Sequence, residues 1–297
     1  MPDVWLVTCA AFPDGEPAGD LLTQALEERG VSSQWVRWDD ESVDWSTGGL
    51  TAVRSTWDYQ HRRDEFLAWA DHVARWSHLL NGPSVFRWNT DKAYLVDLAE
   101  AGVPVVPTRL LDDPGELRAA VRGFEGRVVV KPRIGAGGSG VAVLDSPSAV
   151  EDLLGLGAAL PAAALVGGPW VVQPLVESVT TEGELSIFVL DGIPVTQAVK
   201  RPEPGEIRVH EQHGGTTQAA ELGAEAAVLA VETVNAAEDL LAAELPYARV
   251  DAMRLDDGRL VVSELEVTEP GLYLDVLPRN AVKFARMAQD VAARAHG

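Results

Sequence analysis

The chain carries the segment Val128-Val129-Val130-Lys131-Pro132-Arg133-Ile134-Gly135-Ala136-Gly137-Gly138-Ser139-Gly140-Val141. Its apolar beginning predicts a strand over Arg127–Lys131, and a glycine-rich turn leads into a second strand, Val141–Leu144. Glycines let the backbone turn its N–H groups toward a phosphate, and a lysine on the preceding strand supplies a positive charge. Because the lysine precedes the glycines, the segment is neither a Walker loop nor a Rossmann fingerprint. By itself it fits a phosphate-binding loop and a plain structural turn equally well.

A second pattern is formed by two short runs of charged residues. Arg249-Val250-Asp251 is followed, thirteen residues after Asp251, by Glu264-Leu265-Glu266. Alternation along a strand places Arg249 and Asp251 on one face, and likewise the two glutamates. If the strands pair through a turn at 256–259, three carboxylates converge, and oxygen ligands of this kind suit Mg²⁺. The alternative is a solvated acidic hairpin.

The order of these features, a lysine, a glycine loop and a carboxylate hairpin, resembles the ATP-grasp superfamily over about residues 81–274. Ala248-Arg249-Val250-Asp251 is also similar to the D-alanine–D-alanine ligase motif. The other matching segments are Asp91-Lys92, Lys131 with Gly135–Gly140, Val172-Gln173-Pro174-Leu175, Lys200, and Arg208 ahead of Gly214-Gly215.

Four further segments resemble a subgroup, the ring-closing ligases of D-cycloserine biosynthesis, which act on O-ureido-D-serine. They imply a subgroup rather than a substrate. The segments are Arg54-Ser55-Thr56-Trp57-Asp58-Tyr59, Trp88-Asn89-Thr90-Asp91-Lys92-Ala93-Tyr94-Leu95, Gly183-Glu184-Leu185-Ser186, and Gly205-Glu206-Ile207-Arg208-Val209-His210 with Gly214-Gly215.

The resemblance implies an α+β chain with the ATP-grasp fold. A small N-terminal α/β, Rossmann-like lobe is expected over residues 1–88. A central lobe with the glycine loop is expected over 89–172 and a C-terminal lobe with the metal site over 173–297, with ATP held between these two. The hydrophobic pattern predicts strands at Val4–Thr8, Gln34–Arg37, Ala52–Arg54, Leu185–Leu190, Val195–Val199, Ala248–Leu255 and Leu260–Glu266, and helices at Asp20–Arg29, Asp64–Ser77, about 89–101, about 114–122, about 220–243 and about 278–295.

The resemblance also assigns roles to single residues. Those expected to bind ATP are Lys92, Lys131, Gly135, Gly137, Gly138, Ser139, Gln173, Leu175 and Glu184; those expected to bind Mg²⁺ are Asp251, Glu264 and Glu266; those expected to be catalytic are Arg249, Lys200 and Arg208. Glu266 is a departure, because the family usually has Asn as the last metal ligand. A carboxylate there still offers oxygen to Mg²⁺, with one more negative charge on the site.

Substrate contacts are expected from the first lobe and from Ser186. Arg54, Ser55 and Asp58 follow a predicted strand end, where binding sites of α/β units gather. Capping and packing are the alternative roles for these three. A metal or base role is not favoured for His210 or His213, since neither has a spaced carboxylate partner.

The implied activity is that of an ATP-dependent carboxylate–amine ligase, which works through an acyl phosphate on a small amino-acid-like substrate. The first hypothesis is that the ligase closes a ring within one substrate, as in D-cycloserine formation from O-ureido-D-serine. The alternatives are an intermolecular amino acid or dipeptide ligase, a phosphotransferase that stops at phosphorylation, and a non-catalytic ATP-binding regulatory protein.

Composition limits the partners. With 24 basic and 45 acidic residues the net charge is −21, which argues against a nucleic-acid or anionic-membrane partner. Glycines and prolines within Leu153–Val172 favour a helix end, a loop and a strand over a membrane span. Cys9 is the only cysteine, and no export signal is visible, so a cytoplasmic location is expected. The tryptophan-rich first lobe suits core and interlobe packing and leaves room for a homodimer.

Overall fold

The structure is a computed structural model that describes residues 2–47, 49–113, 116–144 and 168–295. Its first lobe is a parallel sheet of strands β1 (Val4–Thr8), β2 (Ser33–Arg37), β3 (Leu50–Ser55) and β4 (His78–Leu79), in the order β2-β1-β3-β4. Helices α1 (Gly19–Glu27) and α2 (Arg63–Val73) cover its two faces. Leu6 of β1 packs in one core with Leu22 of α1, and Val7 packs in another with Phe66 of α2. The sheet is therefore buried on both sides, as parallel sheets usually are.

The central lobe has a core of its own. Its antiparallel sheet has the order β5-β8-β6-β7, and Leu117 and Val121 of its helix pack against Val128 and Val130. Strand β8 crosses residue 172, where a lobe boundary was expected, because its partners β5 and β6 both belong to this sheet. The elements are β5 (Arg109–Leu111), α5 (Leu117–Arg122), β6 (Val128–Pro132), β7 (Ala142–Leu144) and β8 (Trp170–Pro174).

Within Leu153–Val172, residues 153–167 lie outside the described part of the chain. The end of that stretch forms the first half of β8, so a strand is present there as expected. No helix in the described ranges has both the length and the apolar character that crossing a bilayer requires.

The C-terminal lobe is an antiparallel sheet with the order β11-β10-β9-β12-β13. Alternate residues of β9 face different helices: Ile187 packs in a core with Leu229 of α6, and Phe188 packs with Phe284 of α7. These are the same two cores that the first lobe uses, so the two lobes are packed into one body. The elements are β9 (Glu184–Leu190), β10 (Ile193–Arg201), β11 (Thr216–Ala220), α6 (Ala224–Leu241), β12 (Tyr247–Arg254), β13 (Leu260–Glu266) and α7 (Arg279–Ala295).

The structure of residues 82–100 differs from the single helix that was predicted over about 89–101. They form two helices, α3 (Gly82–Asn89) and α4 (Tyr94–Glu100). Asn89, expected at a helix start, instead donates from Nδ2 to Leu265 O at 2.7 Å and accepts from Val267 N at 3.0 Å. The apolar side of α4 packs in the core shared with α6, so it is attached to the C-terminal lobe.

The tryptophans of the first lobe are mostly core residues. Trp5, Trp38, Trp45 and Trp69 are buried together, with edge-to-face contacts among them. Trp76 is the exception, because 59% of it is exposed at the end of α2. The expected core role therefore fails at this one position.

Strands β12 and β13 form the hairpin that carries the charged runs. Arg249 lies opposite Glu266, and Asp251 lies opposite Glu264. The register then shifts between Asp251 and Ala252, and this leaves Ser263 as an extra residue in β13. The turn closes with a hydrogen bond from Leu255 N to Arg259 O of 2.9 Å.

Candidate active site

A cleft separates the central lobe from the C-terminal hairpin. The glycine loop and Lys131 line one side, and Glu264 and Glu266 line the other. Gln173 and Leu175 line it as well. Residues predicted from distant parts of the sequence therefore face a common space.

The three carboxylates predicted to converge do so. Oxygen atoms of Asp251, Glu264 and Glu266 all lie within 4.8 Å of one another. Cations neutralise them: Arg249 contacts both Asp251, at 3.0 Å from Nε to Oδ1, and Glu266. Lys92 Nζ lies 2.9 Å from Glu264 Oε1. The solvated acidic hairpin is therefore wrong for this chain.

The same contacts set the protonation of the cluster. Burial would raise the pKa of Asp251, but Arg249 and Lys200 hold it below its usual range. Burial would also raise the pKa of Glu264, yet Lys92 and Lys131 bring it to about 2. For Glu266 burial prevails over Arg249 and raises the pKa to about 7.

Lys200 lies at the centre of a buried network. Its Nζ contacts Asp251 Oδ2 at 2.9 Å and Glu184 Oε2 at 2.7 Å. Ser186, which is fully buried, donates to Asp251 Oδ1 at 2.6 Å, and Ser263 donates to Glu184 Oε1 at 2.7 Å. Ser186 thus orients the carboxylate of Asp251. The expected contact of Ser186 with substrate is wrong, because the side chain is fully buried.

The glycine loop has a conformation that glycine favours. Gly137 and Gly138 have φ values of 61° and 68°, a region that residues with a Cβ rarely adopt. The loop touches the opposite lobe, since Gln212 Nε2 donates to Gly137 O at 2.6 Å. Ser139 lines the cleft beside them.

The two cleft lysines are fixed on neighbouring segments. Lys92 N donates to Arg133 O at 2.9 Å, and Arg133 Nη2 contacts Asp91 Oδ2 at 2.7 Å. Lys92 Nζ donates to Gly135 O at 2.8 Å. Burial lowers the pKa of Lys131, and nearby Lys92 opposes its protonation further. Lys131 has no ion pair with any residue of the described ranges.

In the part of the cleft around Gln173 and Leu175 the polar groups are partly engaged. Gln173 Nε2 donates to Thr108 Oγ1 at 2.8 Å, and Leu175 N donates to Arg127 O at 2.9 Å. The apolar side chains Val106 and Met253 line the space beside them. This part of the cleft suits a flat, mostly apolar group.

Two residues expected to touch substrate are structural. Arg54 is fully buried, and its Nη2 contacts Glu16 Oε1 at 3.2 Å and donates to Pro270 O at 2.5 Å. Ser55 is also fully buried and donates to Thr8 Oγ1 at 2.8 Å. Direct contact with substrate is wrong for both, because neither side chain reaches a cleft.

Asp58 and Arg208 have different outcomes. Asp58 accepts from Trp38 Nε1 at 2.9 Å and does not line the cleft. Arg208 does line it, and its guanidinium contacts Glu206. Arg208 is therefore brought to the carboxylates' cleft, whereas Asp58 is not.

Sequence reasoning missed Glu269 and Tyr273. Glu269 is buried and lines the cleft, where burial and then Glu266 raise its pKa well above the usual range. Tyr273 has a φ of 51°, and its ring centroid lies 5.1 Å from Arg249 Cζ. The sequence signal that could have found Glu269 is its place in Glu269-Pro270-Gly271, a turn that follows directly after the carboxylate hairpin.

Similarity to known proteins agrees with this geometry. Residues 4–81 match the family described as D-cycloserine synthetase DcsG, N-terminal domain, and residues 96–271 match prokaryotic glutathione synthetase, ATP-grasp domain. The cycloserine biosynthesis protein DcsG of Streptomyces lavendulae is 32% identical over 277 residues, which are 89% of this chain and 90% of the relative.

Solved structures extend the comparison. The crystal structure of D-cycloserine synthetase DcsG superposes with a TM-score of 0.82 at 31% identity, over 98% of this chain and 99% of that one. A RimK domain ATP-grasp protein from Sphaerobacter thermophilus shares the fold, with a TM-score of 0.67 at 16% identity, over 96% and 99% of the two chains. The α+β architecture is thus the ATP-grasp fold, and the chain belongs to the ATP-grasp ligases, ATP-dependent enzymes, within the family of the cycloserine biosynthesis protein DcsG.

Proposed function

We propose that this ligase closes a ring within one small amino-acid-like substrate, of which O-ureido-D-serine is the first candidate. Ligation is supported by the convergence of Arg249, Lys200 and three carboxylates in a cleft beneath a glycine loop. Ring closure is supported by the likeness to D-cycloserine synthetase along almost the whole chain.

The reaction has two steps. A carboxylate oxygen of the substrate attacks the γ-phosphorus of ATP, and the bond to the bridging oxygen breaks to give ADP and an acyl phosphate. A nitrogen of the same substrate then attacks the carbonyl carbon, the carbon–oxygen bond to phosphate breaks, and the nitrogen loses a proton. Such transfers depend mainly on positioning and charge neutralisation.

Charge neutralisation is assigned to the hairpin. Arg249 is held in one orientation by Asp251 and Glu266, so its planar cation can stabilise the transferring phosphoryl group and the oxyanion. Lys200 and Arg208 are assigned to phosphate or to the substrate carboxylate. All three cations are held by acidic partners.

Nucleotide binding is assigned to the opposite side. Lys92 and Lys131 would hold the α- and β-phosphates, and the loop containing Gly135, Gly137, Gly138 and Ser139 would exclude water above them. Gln173 and Leu175 are assigned to the adenine. Its flat apolar surface fits the part of the cleft that these two residues line. Glu184 is assigned to the ribose, for which it would share its carboxylate with Lys200.

Mg²⁺ is the proposed metal, with Asp251, Glu264 and Glu266 as its ligands. Three carboxylate oxygens within 4.8 Å of one another are a donor set that fits a hard divalent cation. When bound, the ion would supply further neutralisation of phosphate charge. Lys92 contacts Glu264, and Arg249 contacts Asp251 and Glu266, so these two cations would share the three carboxylates with the ion.

The decisive experiment is an ADP-release assay with mass spectrometry of the products. O-ureido-D-serine alone should give ADP, together with a product that has the mass of the closed ring, either with the carbamoyl group still on the ring nitrogen or after water has released that group as carbon dioxide and ammonia. A dipeptide mass, or ADP only when a second amino acid is added, would instead identify an intermolecular ligase. Nucleotide binding without ADP release from any amino acid would favour a regulatory protein, and a stable phosphorylated product would favour a phosphotransferase.

Three coarser expectations are also kept as proposals. They are the division into three lobes, with the second boundary after β8 rather than at residue 172, a cytoplasmic location, and a homodimer formed through the first lobe. Exposed Trp76 lies on that lobe and would support an interface there. Light scattering of the purified chain, with Trp76→Ala as the variant, tests the dimer.

A further inference from the structure

His210 lies in the connection between β10 and β11, beside residues that line the cleft. Its side chain is itself part of the lining, with Lys131 and Glu264. Neither composition nor spacing gave this histidine a role, and none of the interactions described above uses it.

The hydrogen-bonding capacity of the imidazole is unused. Nδ1 is buried and has no hydrogen-bond partner. Within the described ranges Nε2 has none either, and the nearest aromatic ring is that of His213, edge-on at 6.3 Å between centroids. Buried polar atoms are nearly always paired in folded proteins, so an unpaired one in a binding cleft calls for a ligand.

The position of the ring relative to the loop indicates which part of the nucleotide it would meet. A Cβ built on Gly138 would lie 3.1 Å from His210 Nδ1, so the ring lies directly against the glycine loop. Gln212 and His213 both contact Gly137 O, at 2.6 and 3.2 Å. The loop and the segment 210–213 therefore form one wall of the cleft.

The electrostatic surroundings point to the reacting end. Burial first, and then Lys200 and Arg249, lower the pKa of His210 to about 4, while Glu264 and Asp251 oppose them. The ring is therefore neutral at pH 7 and carries one N–H donor. The charged groups that act on it, Lys200, Arg249, Glu264 and Asp251, are those assigned to phosphoryl transfer and to the metal.

We propose that His210 binds the terminal phosphate of ATP, by donating its ring N–H to an oxygen that ADP does not have. A neutral donor at this place adds a hydrogen bond without adding a charge that must be desolvated. The inference rests on the proposed ATP site, and it does not depend on which substrate is ligated.

The test is calorimetric titration of the full chain with the magnesium complexes of AMPPNP, a non-hydrolysable ATP analogue, and of ADP. A hydrogen bond to a charged group is expected to make His210→Ala bind AMPPNP roughly 10- to 100-fold more weakly. Binding of ADP should change less than about twofold, which also verifies that the variant is folded. His213→Ala is the matched control, and it should affect both nucleotides alike, because the ring of His213 hydrogen-bonds to the loop and does not line the cleft.

An equal loss for both nucleotides in His210→Ala, or no loss for AMPPNP, would overturn the proposal. Should the variant not fold, ring-nitrogen NMR of the wild-type chain decides the matter. The His210 signal should then shift with AMPPNP and remain unchanged with ADP, and equal shifts with the two nucleotides would reject the assignment. Failure of the wild type to cyclise O-ureido-D-serine would refute the proposed reaction and leave this comparison intact.

Discussion

The carboxylate hairpin and the glycine loop line the same cleft, but their charges are arranged in opposite ways. In the hairpin, Asp251, Glu264 and Glu266 each contact a lysine or an arginine. On the loop side, Lys131 has no ion pair with a described residue, and burial lowers its pKa. The hairpin must exchange partners when Mg²⁺ and phosphate arrive, whereas Lys131 needs only to accept one. We therefore expect changes in the hairpin to affect turnover and changes at Lys131 to affect nucleotide affinity.

Arg249→Ala should give the largest effect. It removes the cation assigned to the transition state and leaves Asp251 and Glu266 facing each other. Loss of such an electrostatic stabiliser is expected to lower kcat by about 10³-fold, with ADP affinity kept within a few-fold. Single-turnover ADP formation measures the first quantity and calorimetry the second.

The matched control is Arg254→Ala, which removes another arginine of the same strand. Arg254 pairs with Glu225 at the surface, 2.9 Å from Nη2 to Oε2, so turnover should hardly change. Undiminished ADP formation in Arg249→Ala would remove the role assigned to it, and an equal loss in both variants would point to damage of the strand.

Lys131→Met should give an intermediate effect of a different kind. Losing one phosphate contact is expected to weaken Mg-ATP binding roughly 10- to 100-fold, because a charged hydrogen bond is removed. Lys283→Met is the control, since Lys283 is exposed on α7. If Lys131→Met bound Mg-ATP with unchanged affinity but turned over more slowly, the contrast between the glycine loop and the carboxylate hairpin would be contradicted.

Glu266→Asn should give the smallest effect, and it sharpens the contrast within the hairpin. The change removes one negative charge but keeps an oxygen ligand, so half-saturation by Mg²⁺ should need roughly 3- to 10-fold more metal. Activity measured against magnesium concentration at fixed ATP provides the value, with Glu266→Gln as the variant of equal length. An unchanged magnesium requirement would argue against Glu266 as a ligand.

Local pattern predicted much of the site. Strands β1 and β13 begin and end where the apolar pattern indicates, and alternation places Glu264 and Glu266 on one face of β13. The bulge at Ser263, which the pattern did not indicate, is what brings them to the face of Asp251. Short elements were harder to predict. Strand β4 has only two residues, and α3 begins with a glycine and a proline, so its sequence shows no helical periodicity.

Long-range partners explain what could not be predicted. Arg54 resembles a binding residue at a strand end, yet it is buried by Glu16 and by the carbonyl of Pro270, which is 216 residues away in sequence. Glu269 is placed in the cleft by Trp57, whose Nε1 donates to its carbonyl at 3.1 Å. Such contacts depend on how the first lobe packs against the segment after β13, and no spacing within either segment reveals them.

The extra residue Ser263 decides which way the glutamates point. With the observed turn, an uninterrupted ladder would place Ser263 opposite Asp251, and both Glu264 and Glu266 would face the other side of the sheet. The bulge inverts the parity of β13 beyond Val262. A one-residue slip that kept Ser263 and paired it with Asp251 would therefore exchange the acidic face for the apolar one carrying Leu265, and the metal site would disappear without the loss of any of its ligands.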